Sequence, residues 1–182
     1  RTVSAEITRE LELTALLNLI TRRAAELIDV RSGTLYLWDE AQQTLTAKAW
    51  VGPWVPQGSR VRRLGEGVAG SVAARRQGML VNDYHNSPFA TAETLSRPGV
   101  TAVIGAPLLY RDRLAGVIAF DNHGVDRLFT RDDGEILNLF AAQAAIAVEN
   151  ARLFGEVNRS YAHLRRAQDE LIRTEKLRAL GQ

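Results

Sequence analysis

Few of the residues that carry chemistry stand in a pattern that would use it. Asp39, Glu40, Asp112, Asp121, Asp132 and Asp133 supply carboxylates, but none stands in a constellation with His or Lys of the kind that acid–base catalysis needs. Asp132 and Asp133 have a sufficient structural role at a helix start, where negative charge stabilises by about 0.3–1 kcal/mol. The chain has no cysteine, which excludes disulfides, thiolate metal sites, thiol nucleophiles and thioether-linked chromophores. Gly65, Gly67 and Gly70 invite comparison with a phosphate-binding loop, but no Lys-Ser or Lys-Thr follows them. They read as a tight turn into a small-residue helix that Gly78 ends. No catalytic residue and no metal site is expected, and the chain is read as non-enzymatic.

Composition sets bounds without naming a role. Lys and Arg number 23 against 21 Asp and Glu, for a net charge of +2, which argues against a nucleic-acid surface. The cluster Arg60, Arg62, Arg63 reads as a solvated strand edge. With 46% hydrophobic residues in 182, one domain with helical extensions can bury a core without staples. No apolar run approaches the roughly 20 residues that span a bilayer, so no membrane contact and a cytoplasmic location are expected.

Helical spacing of Ile7, Leu11, Leu13, Leu16, Leu17, Ile20, Ala24, Leu27 and Ile28 predicts an amphipathic first helix. Its apolar positions take up more of the circumference than one packing face needs, which leaves part of it for a second subunit. Strand formers at 34–38 and 44–51 predict a hairpin, followed by a loop with Trp54 and a short strand at 60–64. A small helix after Gly67, a strand at 79–83, an irregular segment over 84–100 and a second hairpin over 101–121 follow. Thr130 three positions before Asp133 signals the start of a helix that runs without proline to the end. This order predicts an α+β fold, an antiparallel sheet of about five or six strands covered by helices. At 1.5 Å per residue the last helix would reach about 75 Å, against a globule roughly 40 Å across, so it must protrude.

The residues that fill this plan resemble the GAF family of sensory domains. The resemblance runs through Ser32-Gly33-Thr34-Leu35-Tyr36-Leu37, Gly65-Glu66-Gly67-Val68-Ala69-Gly70 and Val81-Asn82-Asp83. It continues through Ile104-Gly105-Ala106-Pro107-Leu108, Leu114-Ala115-Gly116-Val117-Ile118 and Phe129-Thr130-Arg131-Asp132-Asp133, into the alanine-rich stretch that ends at Glu149-Asn150-Ala151. The last residues, Glu175-Lys176-Leu177-Arg178-Ala179-Leu180-Gly181-Gln182, resemble the entrance to the dimerisation helix of sensor histidine kinases. The resemblance implies three parts: an N-terminal signalling helix (1–12), a GAF-like sensory domain (13–154), and a coiled-coil output linker (155–182) leading to kinase domains in cis; the alternative is a ligand-binding regulatory domain of a cyclase, phosphodiesterase or transcription factor.

By the same resemblance a ligand would lie between one sheet face and the irregular segment, with walls from Trp50, Trp54, Tyr84, Phe89, Arg97 and Phe120. Aromatic faces would stack on a flat ligand, and Arg97 would meet an anion. The alternative is a cavity filled by side chains, with Trp50 and Phe120 in the core; both stay open here. The identity of any ligand or cofactor is unknown at this point. A thiol-linked bilin is excluded. The asparagine-lysine-phenylalanine-aspartate-glutamate signature of cyclic-nucleotide-binding members is not matched. Haem is not expected, because His85 and His123, the domain's candidate axial ligands, read as loop residues.

Past Gly155, Val157, Tyr161, Leu164, Gln168 and Leu171 form a short coiled-coil seam with a polar core position. Leu177 and Leu180 fall out of its register, which implies a local phase change. The narrow seam calls for a parallel partner, so a homodimer through the N- and C-terminal helices is expected.

Overall fold

The computed structural model describes residues 2–54 and 61–181. Arg60, part of the Arg cluster, and residues 55–58 of the loop after Trp54 lie outside the described residues, as does Gln182.

The first helix, α1 (Thr2–Ile28), leads into strands β1 (Ser32–Asp39), β2 (Thr44–Val51) and β3 (Val61–Arg63). Helix α2 (Gly67–Arg75), strand β4 (Met79–Val81) and the one-turn helix α3 (Ala92–Leu95) follow. Strands β5 (Val103–Tyr110) and β6 (Arg113–Asp121) then precede α4 (Arg131–Leu180). The six strands form one antiparallel sheet in the order β3-β2-β1-β6-β5-β4.

The sheet has a helix on each face, and each face has its own core. On one side α1 and α4 pack Leu17, Ala24, Ile28, Leu137, Ala141 and Ala144 against Leu35, Ile104, Ile118 and Phe120. On the other, α2 and the segment after β4 pack Val68, Val72, Tyr84 and Val100 against Leu45, Val103, Leu114 and Val117. The division follows from strand alternation: in β6, Val117 and Ala119 belong to the second core and Ile118 and Phe120 to the first, while an extra residue at Ala115, opposite the register shift between Leu108 and Leu109, returns Leu114 to the second core. Gly33 makes one crossing possible. It pairs with Phe120 across β1 and β6, and a Cβ there would stand 1.9 Å from the Phe120 ring.

Helix α4 starts as its sequence signal predicts. The Thr130 hydroxyl accepts from the Asp133 amide at 3.3 Å, and the Asp133 carboxylate accepts from the Thr130 amide at 2.8 Å, so both orphan donors are met. It then runs 50 residues without interruption, about 75 Å at 1.5 Å per residue. Helix α1 lies antiparallel beside it, with Arg23 near Phe140 and Arg9 near Phe154. The N-terminal turns of α1 stay with α4 past the sheet, where Ala5 and Glu6 face Tyr161 and Arg165.

Candidate functional site: a charged cavity under the 84–100 segment

The second face of the sheet is incompletely filled. A cavity of about 60 Å³ lies between β1, β6, the start of α2 and the covering segment. Its floor is Thr34, Tyr36, Ala119 and Asp121; Val68 and Ala69 of α2 wall one side, and Tyr84, Thr91, Thr94 and Arg97 form the cover. An engineered apolar cavity that admits benzene is about 150 Å³. A space of this volume suits a few waters or a molecule of a few heavy atoms.

Charge concentrates there. Arg62 comes in from the edge strand and Arg97 from the cover, and Glu93 of α3 lies between them, 2.6 Å from Arg62 Nη2 and 3.0 Å from Arg97 Nη2. Both guanidinium side chains are largely buried, at 13% and 15% exposed. Tyr36 stands beside Arg62. Arg97 also reaches Asp121, 3.6 Å away, and stacks against Trp54 at 5.4 Å. Trp54 meets the His123 ring edge-on at 5.4 Å, and its Nε1–H is buried without a partner among the described residues. Asp121 accepts from the Ser32 hydroxyl and the His123 amide, each at 3.0 Å. Its pKa is nevertheless raised, because loss of hydration outweighs those two hydrogen bonds and the Arg97 charge.

The cover is pinned by one side chain. Tyr84 is 2% exposed, and its hydroxyl accepts from the Thr91 amide at 2.8 Å and donates to the Phe89 carbonyl at 3.2 Å. A buried phenol with both roles filled holds a loop that has little regular structure of its own.

The glycines before α2 have a packing role. Gly65-x-Gly67-x-x-Gly70 has the spacing of a dinucleotide fingerprint, but that motif works inside a parallel βαβ unit, and this sheet is antiparallel. The Gly65 amide donates to the Gly70 carbonyl and the Gly70 amide to the Glu66 carbonyl. A Cβ on Gly70 would meet the Arg63 carbonyl at 2.2 Å.

Of the residues singled out in the sequence, Tyr84, Arg97 and Phe120 line the cavity, although Phe120 packs with the α1 and α4 core. Trp54 backs Arg97. Phe89 lies outside the lining, with Arg75 over its ring and its carbonyl holding Tyr84. Trp50 pairs with Thr34 but is 39% exposed and also outside the lining. Sequence reasoning passed over Arg62, Glu93 and Asp121. Arg62 is not the solvated residue its neighbours suggested; it turns inward from β3 to Glu93. His85 packs edge-on against Tyr84, and the His123 ring lies 2.7 Å from the Pro98 carbonyl.

The wall of this cavity continues into the start of α4. Asn122, next to Asp121, accepts from the amides of Thr101 and Ala102 at 2.9 and 3.0 Å and donates to the Arg127 carbonyl at 3.0 Å. Arg127 in turn bonds the Ile28 carbonyl at the end of α1 and the Asp133 carboxylate in the first turn of α4. Asn82 closes the same region by a reciprocal pair of bonds to the Phe129 backbone.

A sheet closed by a short irregular cover over a small polar cavity, with the terminal helices on the opposite face, matches the family suggested by sequence. The sequence model of the GAF domain matches residues 12–148. The chain belongs to the GAF domain family. This GAF domain is 27% identical over 160 residues to a probable 3',5'-cyclic phosphodiesterase of Caenorhabditis elegans, covering 81% of the chain and 22% of that protein. It is 25% identical over 101 residues to hybrid signal transduction histidine kinase G of Dictyostelium discoideum, covering 56% of the chain and 3% of that protein. The chain thus spans less than a quarter of the length of either relative. Among solved structures it resembles the GAF domain of an Acinetobacter phosphoenolpyruvate-protein phosphotransferase, with a TM-score of 0.69 and 21% identity over 85% of this chain and 95% of that one.

Outside the GAF core, Val157, Tyr161, Leu164, Leu171, Leu177 and Leu180 are 57–84% exposed along α4, and Gln168 is exposed with them. The helix passes Gly155 and the phase change after Leu171 without a break. Among the described residues no helix is long and apolar enough to cross a membrane.

Proposed function

We propose that this GAF domain is the sensory and dimerisation module of a two-component histidine kinase. A small polar molecule enters the cavity beside Arg97, and the resulting shift is carried by α4 to the kinase. The observation that carries this reading is the unbroken run from Asp121 to Asp133. Asp121 lines the cavity, Asn122 and Arg127 clamp the next turns, and Arg127 ends on the first turn of α4 and the last carbonyl of α1. A molecule that outgrows this small cavity presses on the cover held by Tyr84, and the cover adjoins that clamp. Arg62 and Arg97, both in the cavity lining, supply donors for an anionic or acceptor-rich ligand. The exposed apolar residues of α4 beyond Phe154 are then covered by a second copy. The kinase assignment rests on Glu175 to Gln182 and their resemblance to a kinase entrance.

A second reading has its own observation. The phosphodiesterase relative matches over a larger share of this chain than the kinase relative does, so the same sensor would then regulate cyclic-nucleotide hydrolysis. Incubating the full-length protein with labelled ATP separates the two. Acid-labile phosphohistidine whose level changes in Arg97→Ala supports the kinase; cyclic-nucleotide hydrolysis without phosphohistidine overturns it. Native mass spectrometry of the purified domain identifies a retained ligand, and sedimentation gives the dimer. A strict monomer at high concentration would overturn the dimerisation part.

A further inference from the structure

Helix α4 carries an apolar line that the fold leaves open. Leu139, Ile146 and Leu153 are seven residues apart and 68%, 49% and 42% exposed. Gln143 and Asn150 alternate with them, also exposed. The same alternation of three and four continues through Val157, Ser160, Leu164, Ala167 and Leu171, all exposed. This is one continuous heptad line from Leu139 to Leu171.

Gln143, Asn150, Val157, Leu164 and Leu171 belong equally to the line through Tyr161 and Gln168, and sequence alone does not choose between the two. Helix α1 does. Followed back into the domain, the Tyr161 line passes through Phe154, Ala147 and Phe140. Phe154 lies under the Arg9 guanidinium, Ala147 borders α1, and Phe140 packs on the helix-side core. Within the domain, the positions particular to that line are thus already turned toward α1 and the core. Ile146 of the open line, with the shared Gln143 and Asn150, borders a groove of about 390 Å³ whose opposite wall is α1 at Leu16 and Leu19, and Phe140 and Ala147 line the same groove.

We propose that the groove receives α4 of a second copy of this chain, parallel and in register, along a seam from Leu139 to Leu171 with Asn150 against the partner's Asn150. This rests on the parallel dimer proposed above and adds the face and the register. A heptad line meets its own residues in a parallel pair, and an asparagine at a core position is satisfied by an identical partner, which fixes register at a cost in stability. The flanking charges permit it. Glu149 and Glu156 edge the seam, and Arg152 of the same chain holds each at 2.6 Å, so neither faces its copy as an uncompensated charge.

The chain has no cysteine, so single substitutions read the seam directly. Ile146→Cys, Leu153→Cys and Ser160→Cys are expected to give about tenfold more disulfide-linked dimer under mild oxidation than Tyr161→Cys and Gln168→Cys, since only residues facing their own copies meet the geometry of the bond. These positions are exposed in the single chain, and circular dichroism checks that each variant folds. Asn150→Leu is expected to tighten association about tenfold by sedimentation, because it removes the polar core residue. Strong linkage at Tyr161 and Gln168 with none at Leu153 and Ser160 overturns this register and leaves the dimer standing. A sedimenting dimer with no linkage at any of the five positions overturns the parallel direction. A monomer without linkage overturns both proposals.

Discussion

The two faces of the sheet are filled in different ways. Against α1 and α4, Leu17, Ile28, Leu35, Ile118, Leu137 and Ala144 are completely buried, and the contacts are those of a close-packed interior. Under the 84–100 segment the same sheet meets Arg62, Arg97, Glu93 and Asp121 around an open space. Ion pairs need directed partners, and each buried charge is tolerated only while its partner stays in place. The helix side is thus suited to hold α1 and α4 as one body, and the cavity side to respond when a competing charge enters. The contrast also places the stability of the domain mostly on the helix face.

The largest effect that follows is therefore on the helix side. Leu137→Ala removes a fully buried side chain from the centre of that core and is expected to cost about 2–5 kcal/mol, read as a lower denaturant midpoint at unchanged slope. A loss well under that range would mean that this face is not the better packed of the two. On the cavity side Tyr84→Phe keeps the ring and removes the hydroxyl that serves Thr91 and Phe89. The expected cost is about 1–3 kcal/mol. Faster amide exchange should be confined to residues 84–100, and faster exchange throughout the sheet would contradict a separately held cover.

Asp121→Asn sharpens the comparison through pH. Burial raises the folded-state pKa of Asp121 above its ordinary 3.8, so the folded protein holds this proton more tightly than the unfolded chain. Its contribution is most favourable below 3.8 and declines as pH rises through the folded-state value. The asparagine variant lacks that decline. Urea unfolding at a series of pH values should show the variant gaining on the wild type as pH increases across this window, and staying within about 1 kcal/mol of it near neutrality. A gain on acidification instead would mean that the Arg97 pair, not desolvation, dominates the site.

The helix side was legible in the sequence and the cavity side only in part, for a physical reason. Leu13, Leu17, Ile20, Ala24 and Ile28 repeat with the helix, and strand alternation in β6 divides its residues between the faces, so local periodicity reports which way they point. The ion-pair cluster has no such signal. Arg62 and Glu93 are 31 positions apart, and Arg62 sits in an arginine-rich edge strand that reads as solvated. Asp121 looks like any carboxylate at a strand end until Ser32, brought across from β1, is set beside it. Trp50 and Phe89 show the converse: an aromatic type suggests a cavity wall, but register and a loop's path decide whether it reaches one. Asp133 was legible because its partner, Thr130, is three residues away.

The smallest expected effect concerns the helix that joins the two functions. Gly155 lies inside α4 where the domain gives way to the protruding half, and it is helical, so its lack of a side chain serves no turn. A Cβ there would meet only the far end of the flexible Arg159 side chain, at 3.3 Å, which can move aside. Gly155→Ala should therefore stabilise the helix by about 1 kcal/mol through propensity alone, visible as slower amide exchange over the adjoining turns with little change in the unfolding of the sheet. If the glycine is a point of compliance between cavity and output, the same variant will reduce the change that Arg97→Ala makes in the phosphohistidine assay of the proposed kinase. An unaltered response would make Gly155 a tolerated irregularity and leave the proposed relay to the seam that runs past it.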